Sequence, residues 1–378
     1  MDASLNEKLR SVEWGEFRIG DLFEIKPTKS YKVTNSDLFD ENGKIPVVTN
    51  SSANNGVTGY TNRPYTEDGN IITYSDTTTS EGIFYQPDKF VGYSHIQGLY
   101  PKVDFESWTR NTLLFFTSAF RNVSKGKFSY GNKFNRKIAS DMMVKLPTNN
   151  SGIDFDFMES FIAELEAERI AELEAYLTVS GLDNYELSDE ELKALREHDS
   201  IDFEEFEYQE VFDMIVQGRR LKKDDQILGD IPFVMSGVTN TGIVNYISNP
   251  VASFPENSIT LDIFGNAFYR PYAYGAGDDT GVYWNEENEY SKEVMLYITS
   301  SMSRSVAGKY DYGNKLRSSK SKNIKMKLPA VSKGVLDTDY MRIITNAVMK
   351  LAIKDVVEYT NERIETTKGV VTSHHTNY

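Results

Sequence analysis

Gly126-Lys127-Phe128-Ser129-Tyr130-Gly131-Asn132-Lys133-Phe134 recurs as Gly308-Lys309-Tyr310-Asp311-Tyr312-Gly313-Asn314-Lys315-Leu316, and Lys145-Leu146-Pro147 recurs as Lys327-Leu328-Pro329, both at an offset of 182 residues. Upstream, Lys44-Ile45-Pro46-Val47-Val48-Thr49 and the run from Asn55 to Tyr60 match Asp230 to Met235 and Thr241 to Tyr246 at an offset of 186. Downstream, Asp154, Asp156, Met158 and Tyr176 fall on Asp337, Asp339, Met341 and Tyr359 at an offset of 183. A repeat of this length is a whole domain with a trailing helix, far beyond the roughly 20–50 residues of a solenoid unit. Two linked copies of one module predict a pseudo-twofold chain, suited to gripping a partner that itself has two halves.

The 378 residues suffice for two domains, each with its own core. The absence of cysteine excludes a disulfide framework, a thiol nucleophile and every Cys-based metal site. No signal-like N-terminus and no long apolar run is present, so the expectation is a cytoplasmic protein with no membrane partner. The net charge of −15 resides in the middle: between Ile153 and Glu205 eighteen acidic residues oppose three basic ones. Outside that segment the charge balances but clusters. Arg121, Lys125, Lys127, Lys133, Arg136, Lys137 and Lys145 crowd the end of the first half, and Arg304, Lys309, Lys315, Arg317, Lys320, Lys322, Lys325 and Lys327 crowd the end of the second. Each module thus carries one basic patch at the same repeat position.

Short β-branched and aromatic runs (Ile45 to Thr49, Asn70 to Tyr74, Gly82 to Tyr85, Phe90 to Tyr93) separated by Asn, Gly, Asp and Pro read as strands. Leu113, Leu114, Phe116 and Phe120 predict a helix over 108–122, and Val294, Leu296, Tyr297 and Ile298 its counterpart over 291–307. From Asp154 to Leu177 an apolar stripe (Met158, Phe161, Ile162, Leu165, Leu173, Tyr176, Leu177) predicts a long amphipathic helix, matched by Met341, Ile344, Val348, Leu351, Val356 and Tyr359. Roughly 24 residues at about 1.5 Å each make a rod of about 36 Å, close to one turn of B-DNA at about 34 Å. A short helix is expected at Asp189 to Glu197, and Gly369 to Tyr378 reads as a frayed end. The expected class is mixed α/β: two repeated β-rich domains (12–150 and 201–331), separated by long antiparallel paired α-helices (151–200 with its acidic connector, and 332–368).

The candidate chemistry is nucleic-acid binding. Lys and Arg neutralise phosphates, while Asn, Gln, Arg and aromatics present hydrogen bonds or stacking to bases. The basic segments contribute Lys125, Lys127, Tyr130, Asn132, Lys133 and Arg136, then Lys309, Tyr312, Asn314, Lys315 and Arg317. The polar strand-end loops contribute Asn50, Ser51, Asn54, Thr77, Thr78, His95 and Gln97, then Arg219, Arg220, Thr239, Asn240, Asn266 and Arg270. Catalytic signals are weak: the four histidines, His95, His198, His374 and His375, assemble no triad or metal cluster. Gly275-Ala276-Gly277-Asp278-Asp279 lacks the phosphate-loop pattern, and Pro87-Asp88-Lys89 and Asn249-Pro250-Val251 are incomplete echoes of nuclease and methyltransferase motifs. A different class, a two-domain carbohydrate- or surface-binding module without enzymatic activity, is suggested by the 23 tyrosines and Asn-rich loops.

From about residue 12 to 368 the chain resembles the specificity (S) subunits of type I restriction-modification systems and the similar recognition subunits of type IIB systems. The resemblance rests on Trp14-Gly15-Glu16-Phe17-Arg18-Ile19-Gly20-Asp21-Leu22-Phe23 with its echo Phe206 to Phe212, and on Leu146-Pro147 and Leu328-Pro329 leading into long helices. It implies two target recognition domains, each reading one half of a split sequence in double-stranded DNA, and no catalysis by this chain. It also implies helices that set the spacer and dock methyltransferase (M) subunits, two in number, with a restriction (R) subunit in some assemblies. S-adenosylmethionine, and ATP with Mg in the type I case, are then expected on the partner subunits and no cofactor on this chain.

Overall fold

In each half the first strand pairs with the last. The computed structural model describes residues 3–77, 82–128 and 132–374, with side chains through Glu365. Glu13–Arg18 runs antiparallel to Met143–Asn149 with Trp14 opposite Pro147 and Glu16 opposite Lys145. Phe203–Glu207 runs antiparallel to Lys325–Ser332 with Phe203 opposite Pro329 and Glu205 opposite Lys327. The opening strand of each copy is therefore the pairing partner of the strand that carries Lys-Leu-Pro, which closes the unit on itself.

The chain divides into two compact units, Met1–Ala175 with Glu362–Tyr378, and Tyr176–Asn361. In the first, a four-stranded antiparallel sheet has the spatial order Phe23–Pro27, Ile96–Pro101, Ile71–Ser75, Ile83–Gln86. In the second, Met214–Gln217, Thr280–Trp284, Ser258–Asp262 and Ala267–Arg270 repeat that order. Beside it lies a hairpin, Ile45–Val48 with Val57–Thr61 in one unit and Leu228–Val234 with Ile243–Ile247 in the other. The expected strand at Phe90–Tyr93 is instead a set of single bridges, with Val47 parallel to Val91 and Glu67 antiparallel to Phe90. The second unit builds the same pairings as true ladders, Phe233 with Gly275 and Phe254 with Tyr274.

A helix covers each sheet. Thr109 caps Arg110–Ser124 by accepting from the Thr112 amide, and Ser291 caps Lys292–Val306 by accepting from that of Val294. Leu113, Phe116 and Phe120 bury against Ile72, Tyr74 and Leu99, with Phe23, Trp108 and Phe116 in tilted or edge contact at 4.6–5.6 Å. In the second unit the buried face is Val294, Met295, Ile298, Met302 and Val306, while Leu296 and Tyr297 are only half-buried. The N-terminal helix Ala3–Ser11 had no counterpart in the sequence expectations; it buries Leu5 and pairs Lys8 with Glu164 at 2.5 Å.

The long helices start by one device. After each Leu-Pro a two-residue hairpin turns back, the Asp154 and Asp337 amides donate to the Pro147 and Pro329 carbonyls, both at 2.9 Å, and the two carboxylates accept from the Phe157 and Tyr340 amides at 3.0 and 2.9 Å. Helices follow over Phe155–Val179 and Thr338–His374, so the end expected to fray from Gly369 stays helical through His374. The second stripe begins as expected, with Met341 and Ile344 buried, and then departs: Ala347, Val357 and Thr360 are buried, whereas Val348, Leu351, Val356 and Tyr359 are exposed. Tyr176 of the first stripe is likewise exposed. Near the far end, Arg363 meets Glu166 at 2.9 Å.

The acidic connector holds Asp189–Arg196, capped by a Ser188–Glu191 capping box. Glu191 is buried and pairs with Lys350 at 2.8 Å. Burial alone would raise its pKa, but the Lys350 and Ser188 hydrogen bonds outweigh that and hold it below the usual carboxylate range.

Asp154→Ala and Asp337→Ala are each expected to lower unfolding free energy by about 1 kcal/mol in chemical denaturation, the usual cost of an N-cap. Because the folded pKa of Glu191 is depressed, its stabilisation is present above the ordinary carboxylate pKa and is lost as pH falls through the folded value. Glu191→Gln should therefore flatten the acid limb of the stability–pH curve below about pH 4.3.

Candidate nucleic-acid interface

Both basic segments follow a helix C-terminus and share the turn that opens them and the asparagine bond that closes them. Gly126 and Gly308 sit at φ +71° and +68°, and the Lys127 and Lys309 amides donate to the Ser124 and Val306 carbonyls, both at 3.1 Å. Asn132 Nδ2 then donates to the Lys127 carbonyl at 2.8 Å, and Asn314 Nδ2 to the Lys309 carbonyl at 3.0 Å. The two asparagines, expected as base readers, have their amide donors committed to closing the loop. Aromatics anchor it beneath: Phe128 stacks on buried Phe134 at 4.0 Å, and Tyr310 packs into the second core. Tyr312 is 81% exposed with Lys315 Nζ over its ring at 4.3 Å, a stacking surface facing solvent. Lys125, Lys127, Lys133 and Arg136 are exposed, while Tyr130 and Thr78 lie outside the described residues.

Several residues of the basic runs also bond within the protein. Lys145 and Lys327 stand opposite Glu16 and Glu205 in the closing strand pairs, and Lys325 reaches Glu205 at 3.5 Å. Lys309 Nζ donates to the Ser305 carbonyl at 2.7 Å, and Arg317 donates to the Asp278 carbonyl.

In the second unit, two carboxylates gather the strand-end loops. Asp279 accepts from the Ser236 amide and hydroxyl at 3.1 and 2.7 Å. Asp262 accepts from the amides of Gly237 (3.0 Å), Phe264 (2.8 Å) and Asn266 (2.9 Å), and from Asn266 Nδ2 at 2.8 Å. The Leu316 amide donates to the Ile263 carbonyl at 3.0 Å and Ser318 to Gln217 Oε1 at 2.9 Å, which brings the basic segment to the same end of the sheet. Beside these loops Arg220, Lys222, Lys223, Met235, Asn245 and Asp278 line a cleft of about 720 Å³. Arg219 and Arg220 are exposed there, and Lys222 and Lys223, which the sequence expectations passed over, join them.

In the first unit Asp76 does the gathering. It meets His95 Nδ1 at 3.1 Å and accepts from Gln97 Nε2 at 2.8 Å, with Thr77 held by Ser75 alongside. His95 is exposed at φ +66°. Gln97 is 4% exposed, so its expected base contact is corrected: it lies inside, directly opposite Tyr74 in the sheet. Burial drives the Tyr74 hydroxyl far above its usual range, and among the described residues neither it nor Gln97 Oε1 has a hydrogen-bond partner.

The largest correction concerns Arg270. It is 1% exposed and points inward beneath the turn that carries Thr239 and Asn240. Nη2 donates to the Thr241 carbonyl at 2.5 Å, Nη1 to Thr241 Oγ1 and the Tyr272 hydroxyl at 3.1 and 3.2 Å, and Nε to Thr260 Oγ1 at 3.0 Å. The turn is left-handed over three residues, Asn240, Thr241 and Gly242 at φ +47°, +51° and +83°. Asn54, Asn55 and Gly56 repeat it at φ +48°, +53° and +80°. Asparagine tolerates this region through local hydrogen bonds, whereas a β-branched residue such as Thr241 costs roughly 1–2 kcal/mol there. Under the first turn the place of Arg270 is taken by Gln86, whose Nε2 donates to the Asn55 carbonyl at 3.0 Å and Thr73 Oγ1 at 2.9 Å. Phe84-Tyr85-Gln86-Pro87 and Phe268-Tyr269-Arg270-Pro271, at an offset of 184, were the sequence signal for this equivalence. Asn50, Ser51, Asn54, Thr239 and Asn240 are the outward residues of these loops, Ser51 only partly exposed; the Asn54 amide turns back to the Val57 carbonyl at 3.1 Å, and the Asn55 amide turns inward to the Tyr85 carbonyl at 2.9 Å and Gln86 Oε1 at 3.3 Å.

Of the tyrosines that suggested a carbohydrate-binding surface, Tyr74, Tyr208, Tyr274 and Tyr283 are fully buried, whereas Tyr60, Tyr65, Tyr246 and Tyr312 are exposed. Among the described residues no group of three or more His, Asp or Glu side chains is placed to hold a metal ion, and no helix is long and apolar enough to cross a membrane.

The family described as Type I restriction modification DNA specificity domain matches residues 11–175 and 200–359. The specificity subunit S.BcgI of a type II restriction enzyme from Heyndrickxia coagulans is 27% identical over 337 residues, 87% of this chain and 93% of that protein. The S subunit of a type I restriction-modification system from M. genitalium superposes with a TM-score of 0.56 at 12% identity, covering 96% of this chain and 95% of the other, a likeness of fold.

Asp262→Ala removes the acceptor of four donors. It is expected to speed hydrogen exchange at the Gly237, Phe264 and Asn266 amides and to lower stability by about 1–3 kcal/mol, read by exchange mass spectrometry and denaturation.

Proposed function

The chain belongs to the family of type I restriction-modification DNA specificity domains and is the specificity subunit of a restriction-modification system with two recognition domains; from that premise we propose that each unit reads one half of an asymmetric, two-part sequence in double-stranded DNA. One observation carries the reading: the same Asn-closed basic loop and the same left-handed polar turn recur in both units, while the exposed side chains around them differ. Lys125, Lys127, Lys133, Arg136 and Lys309 serve the phosphates, which position the protein without reading sequence. Asn50, Ser51, Asn54, Thr77 and His95 in one unit, and Arg219, Arg220, Thr239, Asn240 and Tyr312 in the other, serve base edges and stacking.

The long helices set the distance between the two half-sites and dock two methyltransferase subunits, with a restriction subunit completing the assembly. Exposed apolar side chains along them (Tyr176, Val179, Val348, Leu351, Val356, Tyr359) support a partner-binding role. This chain contributes recognition and no catalysis. S-adenosylmethionine, and ATP with Mg in a type I assembly, belong to the partner subunits, and the complex works in the cytoplasm.

Mapping methylated bases across a host genome with and without this gene is expected to reveal one split motif modified only when it is present; no change in any split motif overturns the reading. In the assembled complex, replacing Lys125, Lys127 and Lys309 with alanine should weaken DNA binding across sequences. The slope of log K against log salt should become shallower by about 0.9 for each phosphate that is no longer neutralised.

A further inference from the structure

We propose that the turns Asn54-Asn55-Gly56 and Asn240-Thr241-Gly242 are equivalent DNA-contacting elements and that the buried side chains of Gln86 and Arg270 are their positioning residues. The inference rests on the DNA-reading role proposed above and goes further, to how the reading surface is held in shape.

Both turns keep two non-glycine residues in the left-handed region, which glycine enters freely, asparagine at modest cost and a β-branched residue such as Thr241 only under strain. Of each trio only the glycine is buried, so no packing of the core demands this conformation from the two residues before it. A Cβ on Gly242 would come within 2.6 Å of the Met235 carbonyl, which ties the turn closely to its strand. Strain of this kind persists only where surroundings over-determine it, and each unit supplies the same surroundings. One side chain, on the edge strand of the sheet, grips the middle residue's carbonyl and a threonine hydroxyl of the neighbouring strand. Thr73 and Thr260 are that threonine, and Phe84 and Phe268 stand opposite them in the sheet. A further bracket is duplicated: the hydroxyls of Tyr85 and Tyr269 donate to Asn70 and Asn257 at 3.0 and 3.1 Å, and both asparagines are themselves left-handed at φ +50° and +53°.

A buried amide or guanidinium is expensive unless its hydrogen bonds are made, so an apolar residue would serve better if filling space were the task. Arg270 makes this plain: no carboxylate lies within 4.0 Å of it among the described residues, and Asp262, on the same strand as Thr260, is occupied by backbone amides. What the two locks share is the backbone shape they impose. What differs is the exposed pair that leads into that shape, Ser52 and Ala53 against Val238 and Thr239, while the side chains of Asn55 and Thr241 turn inward to Gln86 and Arg270. A common frame with variable outward groups is the arrangement expected of a surface that presents different base contacts from the same place.

The test is selection of bound sequences from randomised duplexes by the complete complex with its methyltransferase subunits. The wild-type complex is expected to select a split motif. Arg270→Ala should lower preference about tenfold or more at positions within one half while leaving the other half intact, and Gln86→Ala should do the reverse. Arg270→Gln should retain both halves, because Gln86 makes the same two bonds in the sister turn. Asn240→Gly, at an exposed position tolerant of the left-handed backbone, should weaken the same half as Arg270→Ala and keeps the question answerable if that variant does not assemble. Loss of both halves together, an intact motif in Arg270→Ala or Asn240→Gly, or equal loss in Arg270→Gln and Arg270→Ala overturns the proposal. A wild-type complex that selects no split motif overturns the DNA-reading premise and this inference with it.

Discussion

Closure of each unit by pairing its first strand with its last is the constraint on which everything else hangs. Trp14 opposite Pro147 and Phe203 opposite Pro329 bring together segments more than a hundred residues apart. Such non-local pairing must overcome a loop-closure entropy that grows only slowly with length, and the cores between the paired strands supply the compensation. Once the pair is made, the short hairpin after each Leu-Pro has a single exit direction. The aspartate that follows caps a long helix, so the helix direction is inherited from the sheet.

From that frame the polar chemistry sorts itself by depth. Residues of one type take opposite roles according to where the register places them. Lys145 and Lys327 face glutamates across the closing pair, whereas Lys125 and Lys127 lie on a glycine-turned loop in solvent. Asn132 and Asn314 close loops, and Asn54 and Asn240 ride on strained turns. Asp76, Asp262 and Asp279 act as hubs for the amides and side chains of the strand-end loops. Carboxylates whose lone pairs are occupied by fixed donors stiffen the loops that supply those donors.

The two units solve one problem twice with different residues. Gln86 and Arg270 perform the same bonding, and a tyrosine–asparagine bracket is duplicated around them. Retention of backbone shape with drift of the exposed residues is what separates a scaffold from the groups it presents.

The sequence alone determined the duplication, the mixed class, both sheet-covering helices and the long helices that start at Asp154 and Asp337, because these depend on local periodicity and short-range hydrogen bonds. It also placed the basic loops, since glycine followed by lysine after a helix is a local signal. The tertiary structure decided which polar residues face inward. Arg270 and Gln97 are buried because strand register, a non-local quantity, assigns alternate residues to alternate faces. It also decided the face of the C-terminal helix, where Tyr340 and Met341, Ala347 and Val348, and Val356 and Val357 are adjacent apolar pairs. Either member of each pair fits a helical stripe, and only packing selected Ala347 and Val357 for burial.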